Sequence, residues 1–151
     1  MPCAACDKIE RMRRGEEPAF VAELDESFIS LADDARYEGW CTLFLKTHDE
    51  HLHRLPLARQ CRLFHDVARV AAAIAGSLTP VRLNYECLGN VLHHVHWHLI
   101  PRYATDPEPA ATIWTRPAAD KALAVGPERR DQLVQQLREA LAVQSSDSAL
   151  G

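Results

Sequence analysis

The stretch HHVHWHLIPR, residues 93–102, decides the reading of this chain. It holds four of the eight histidines, and His94, His96 and His98 alternate with Val95, Trp97 and Leu99. A period of two is the period of a β-strand, so the three imidazoles share one face and the apolar residues the other. The apolar face belongs to a core. The imidazoles stand roughly 6–7 Å apart along the strand, about the span of a phosphate group contacted from both sides. Two chemistries suit such a row. Neutral imidazole is the commonest zinc ligand, and alternate histidines on a strand converge on one ion. A neutral imidazole nitrogen also attacks phosphorus, provided that the opposite ring nitrogen keeps its proton and is held by an acceptor.

Working outward, the histidine strand is expected over residues 91–100, stopped by Pro101. Upstream, VRLNYECLG (81–89) reads as a strand. Before it, Leu63, Phe64, Val67, Val70, Ala71 and Ile74 recur at spacings of three and four, which predicts an amphipathic helix from Pro56 to Leu78. WCTLFLKTH (40–48) has the β-branched and aromatic content of a strand. AFVAELDESFISLA (19–32) reads as a hairpin around Asp25-Glu26. Downstream, RYATDPEPAATIWTRP (102–117) reads as an ordered surface loop. Residues 127–143 repeat the helical pattern with Leu133, Val134, Leu137 and Leu141 on one face. The pattern predicts an α+β domain: a five-stranded antiparallel sheet with the long helix and the C-terminal helix packed on one face. Residues 1–144 are expected to form a single domain and 145–151 a flexible tail.

A chain of 151 residues with 47% hydrophobic and 25% charged residues has the composition of a folded domain with its own core. The formal charge of -4 supplies no basic field for a nucleic-acid polymer, while a mononucleotide ligand stays open. The longest apolar run, VAAAIAG, is too short to span a bilayer, and the start MPCAACDKIERMRR does not read as a leader, so a cytoplasmic protein without membrane contact is expected. The five cysteines form no disulfide framework, and only Cys3 and Cys6 are spaced as half a structural zinc site. Free thiols on a loose terminus are the alternative.

The segment HVHWHLI, His94 to Ile100, resembles the His-φ-His-φ-His-φ-φ signature of the histidine triad (HIT) superfamily of nucleotide hydrolases and transferases. The following Pro101-Arg102, the N-terminal CxxC, the strand ending LKTH, the Asn84 strand, Gly89-Asn90 and the IW at 113–114 also resemble the family. The resemblance implies a HIT-like fold. It also implies a hydrolase that cleaves dinucleoside polyphosphates or nucleoside phosphoramidates at the α-phosphate, through a covalent nucleotidyl-histidine. In that frame His96 is the nucleophile, its second ring nitrogen held by a backbone carbonyl of its own strand. His98 holds phosphate oxygens, and histidine rather than glutamine at this position favours hydrolysis. Asn90 contacts phosphate, while Asn84 and Asp33 (or Asp34) lie near the ribose.

The resemblance further implies a structural zinc on Cys3, Cys6, His48 and His94, no organic cofactor, and a homodimer, with Trp114 either a dimer or substrate contact or a loop anchor. Two departures stand out. Trp40 replaces a histidine common in relatives, which either weakens phosphate binding or supplies a base-stacking ring. The Asn84 to His94 segment is one residue shorter than usual. His51, His53 and His65 are read as surface residues, and His93 as out of phase with the triad. Two other functions stay open: a noncatalytic nucleotide- or partner-binding module, and a metalloenzyme with one zinc on all three triad histidines.

Overall fold

The computed structural model describes residues 3–117 and 123–147. The hairpin forms as β1 (Phe20–Glu23) and β2 (Ser27–Leu31), followed by β3 (Cys41–Leu45). The long helix α2 (Leu57–Leu78) leads to β4 (Arg82–Glu86), and β5 (His96–Arg102) then returns inward. The result is one antiparallel sheet ordered β1-β2-β3-β5-β4, with the histidine strand between β3 and the edge strand β4.

Strand alternation separates two faces. Ile29, Leu31, Cys41, Leu43 and Leu99 are buried against Val67, Val70 and Ile74 of α2 and Leu133 and Leu137 of α3 (Pro127–Asp147). The opposite face carries Phe44 paired with His96 and Thr42 paired with His98. The long helix and the C-terminal helix share one face, as expected, and a further helix that the pattern did not predict covers the other. A first helix, α1 (Ala4–Arg13), packs Ala5, Ile9 and Met12 against Phe28 and Phe44, on the histidine side of the sheet. Its apolar stripe at spacings of four and three was legible, but its largely polar composition hid it.

The histidine strand also begins later and ends later than expected. Residues 91–95 precede it, and Pro101 lies inside it opposite Leu83. Pairing with β3 ends at Leu99, so β5 has only β4 beside it at Pro101, and the missing N–H removes no bond to β3. The C-terminal helix reaches Asp147, past the expected end at residue 143; of the expected tail, 148–151 lie outside the described residues.

Buried polar groups tie the loops to this frame. Asp66 on α2 accepts from Glu26 N at 2.9 Å and Ser27 Oγ at 2.8 Å, which holds the hairpin turn. Glu26 is ion-paired to Arg59 and Arg62, also on α2. Arg102 donates to the Glu108 and Ala111 carbonyls and pairs with Asp106, so the arginine after Pro101 is a loop clamp. Gly39 has φ +89°, and a Cβ there would lie 2.0 Å from Leu78 Cδ1. That glycine lets the chain turn beside the end of α2 and deliver Trp40 to the histidine face. Among the described residues, no helix is long and apolar enough to cross a membrane.

Candidate active site

The three alternating histidines divide between two environments. His94, ahead of the strand, is buried, and its Nε2 lies 2.8 Å from the Leu45 carbonyl. A carbonyl only accepts, so Nε2 carries the proton and Nδ1 keeps its lone pair. That lone pair faces Cys3 Sγ at 3.6 Å and Cys6 Sγ at 3.7 Å, while His48 Nδ1 stands 3.5 Å from Cys6 Sγ. The four ligand atoms lie within 4.8 Å of one another. Tetrahedral zinc with ordinary Zn–S and Zn–N bonds sets its S···N separations at roughly 3.5 Å, so the donor set and the tautomer of His94 fit that ion. Cys3 and Cys6 are therefore gathered with His48 and His94, the set that the family resemblance implies, and Cys3 N-caps a helix rather than sitting on a loose terminus.

His96 is buried, and its Nδ1 lies 2.6 Å from the His94 carbonyl, which fixes the proton on Nδ1 and leaves the Nε2 lone pair. Its ring stacks on Phe44 with centroids 6.2 Å apart. His98 follows at a centroid distance of 4.8 Å with its ring perpendicular. Burial and the neighbouring His96 push the His98 pKa down to about 4, so its ring is neutral near pH 7. A cavity of about 570 Å³ opens over both rings, lined by Thr42, Phe44, Leu88, Asn90, Val91 and Trp114 among others. Its walls are chiefly apolar, and its polar groups converge on the two imidazoles and Asn90. A second cavity of about 390 Å³ also touches His96 and is lined by His51, His53, Gln60 and Cys87. His51 and His53 are exposed as expected, yet their stacked rings, 5.4 Å apart, form part of that wall.

Of the other residues singled out in the sequence, Trp40 joins the site: its Nε1–H points at His98 Nδ1 at 3.3 Å. Trp114 packs edge-on to both Trp40 and His98 and donates its indole N–H to Glu86. It is at once a loop anchor and a cavity wall. Asn84 shares the histidine face but pairs with Ile100, one step beyond His98, and the cavity over His96 and His98 does not include it. Asp33 lines a separate cavity with Trp40 and Trp114, and its Oδ1 accepts from Val125 N at 2.7 Å. Asp34 lines the same cavity, buried in an ion pair with Arg116, and caps a short 3-10 turn. Phe44, Thr42 and Glu86 escaped the sequence reading. Strand register puts them beside His96 and His98: Thr42 and Phe44 lie across α2 from the histidine strand and Glu86 across the 87–95 loop, and a single sequence carries no signal for either register.

The chain matches the family profile of the HIT domain over residues 14–105. It is similar to the protein named hit of Bacillus subtilis, 28% identical over 126 residues, which cover 80% of this chain and 86% of the relative. Its fold is similar to that of a histidine triad protein from Sinorhizobium meliloti, with a TM-score of 0.73 at 22% identity, covering 87% of this chain and 93% of the other. It is also similar in fold to a zinc-bound histidine triad family protein from Mycobacterium smegmatis, with a TM-score of 0.69 at 22% identity, covering 97% and 98%.

Proposed function

We propose, from the premise that this chain belongs to the HIT family, that it is a nucleotide hydrolase working through a covalent nucleotidyl-histidine. The observation that carries this reading is the 2.6 Å contact between His96 Nδ1 and the His94 carbonyl beneath an open cavity. It leaves Nε2 as an unprotonated nucleophile without any base to activate it. In the first step the Nε2 lone pair forms a bond to the α-phosphorus, and the bond to the leaving group breaks with its electron pair. The developing imidazolium charge is relieved through Nδ1–H toward the His94 carbonyl. In the second step water attacks phosphorus and releases a proton to solvent, which balances the proton that a phosphoramidate's amine takes from solvent on leaving; the P–N bond breaks, its electron pair returns to Nε2, and the nucleoside monophosphate departs. His98 and Asn90 hold phosphoryl oxygens in this scheme.

Dinucleoside polyphosphates and nucleoside phosphoramidates are the substrate classes. The ribose contacts would come from Asn84 and from the second carboxylate oxygen of Asp33, since its first is engaged by Val125. We assign zinc to Cys3, Cys6, His48 and His94 as a structural ion with all four positions taken by protein, so it supplies rigidity and no activated water. One zinc on all three triad histidines is disfavoured, because both nitrogens of His94 are engaged away from His96 and His98, Nε2 by the Leu45 carbonyl and Nδ1 by the thiols. We read residues 1–144 as one domain of a cytoplasmic homodimer.

The test is a short, acid-quenched incubation of wild type and His96→Ala with an adenosine phosphoramidate and with diadenosine tetraphosphate. Adenylylated protein and released AMP that require His96 support the hydrolase. AMP binding with neither adduct nor product would replace it with the noncatalytic nucleotide-binding module.

A further inference from the structure

The indole of Trp40 directs its N–H at His98, with a specific consequence for that ring. An indole nitrogen only donates, so the contact of 3.3 Å from Trp40 Nε1 requires His98 Nδ1 to be an acceptor. The Thr42 hydroxyl stands 3.4 Å from the same nitrogen, on the strand paired directly with His98. A hydroxyl can donate or accept, so the indole alone fixes that nitrogen as an acceptor. His98 must then carry its proton on Nε2. His96, two residues earlier on the same strand, faces an acceptor instead and carries its proton on Nδ1. Two adjacent imidazoles, with centroids 4.8 Å apart, are consequently held in opposite tautomers.

We propose that Trp40 is a positioning residue that locks His98 as a neutral imidazole with Nε2–H, so that the cavity meets a lone pair from His96 beside a hydrogen-bond donor from His98. The opposite tautomer of His98 would present a lone pair to an anionic phosphoryl oxygen and repel it. A cationic His98 would set an Nδ1–H against the indole N–H. Trp40 disfavours both. The ring is itself held in place: Trp114 packs edge-on against it at 5.7 Å, and Trp114 is anchored by Glu86, the residue directly across from His98 on β4. The depressed pKa of His98 agrees with a ring that resists a second proton. The catalytic half of this inference rests on the hydrolase reading; the tautomer itself does not.

The experiment is a long-range proton–nitrogen NMR spectrum of the full-length, nitrogen-15-labelled protein, wild type and Trp40→Phe, with turnover measured on both. His98 in the wild type should show a protonated Nε2 and a bare Nδ1 from pH 7 down to about pH 5. In Trp40→Phe the His98 signals should move toward averaged tautomers, and kcat should fall about tenfold, the size of one neutral hydrogen bond, with a smaller change in KM. Replacing Trp40 by 3-benzothienylalanine, which exchanges only the N–H for sulfur, makes the same comparison without altering the packing. A protonated Nδ1 on His98 in the wild type, or a tautomer signal unchanged by loss of the indole N–H, would overturn the proposal. A wild type that shows the Nε2–H signature yet turns over no nucleotide would defeat the hydrolase and leave the lock standing.

Discussion

The two ends of the histidine row are built from the same residue type and do opposite things. At His94 the ring is buried between a carbonyl and two thiols, and its free nitrogen faces metal-type donors. At His98 the ring lies among Trp40, Trp114 and Thr42 beside an apolar cavity, and its Nδ1 meets donors. His96 sits between them and takes its tautomer from the carbonyl of His94. What each ring can do is therefore set by what faces its nitrogens, and the metal-type end also supplies the carbonyl that orients His96.

The largest effect expected from breaking this arrangement is His96→Ala: turnover falls by a factor of at least about 10³ with no covalent adduct, while the thermal midpoint stays close to wild type. Equal turnover would remove His96 from the chemistry. Next, Cys6→Ser should reduce bound zinc from one per chain toward none and lower the thermal midpoint by about 10 °C or more, as metal analysis and thermal melts would show. Activity should fall less than in His96→Ala under conditions where the variant stays folded. A folded Cys6→Ser protein as inactive as His96→Ala would mean that the metal-type end takes part in the chemistry.

At the aromatic end, Gly39→Ala should cost about 1–3 kcal/mol in a urea titration, because a Cβ meets Leu78 at a backbone φ of +89°. The smallest effect concerns pH. The His98 pKa of about 4 in the folded chain lies below the ordinary histidine value of 6.5. As pH falls, the unfolded chain takes up this proton first, so stability contributed by His98 is full above about pH 6.5 and declines toward pH 4. His96 on the same strand and Glu86 across on β4 are the titratable groups facing that ring. His98→Asn should flatten the stability curve in that window; an unchanged slope would mean that the ring is not kept neutral by its surroundings.

Much of the molecule was legible beforehand. The hairpin, the long helix and the order of strands follow from hydrophobic period and turn residues, which are local. The Cys3, Cys6, His48 and His94 gathering was implied by resemblance and recurs in space. The helix α1 was missed because just three of its ten residues, Ala5, Ile9 and Met12, are buried, and its meaning as a stripe depends on Phe28 and Phe44 waiting on the sheet. Asp33 and Asp34 looked equivalent in sequence. They separate only because Arg116 folds over Asp34, while Val125 engages Asp33.

The alternation of His94, His96 and His98, and the side of the sheet that His96 and His98 share, are written in the chain itself, because strand geometry repeats every two residues wherever the strand lies. The chemical state of each ring comes instead from packing. The partners that choose it come from far along the chain: Leu45 for His94, Trp40 and Thr42 for His98. A tautomer depends on whether the atom some 3 Å away donates or accepts. That atom is delivered by strand register and by the turn at Gly39, which are products of packing rather than of local sequence.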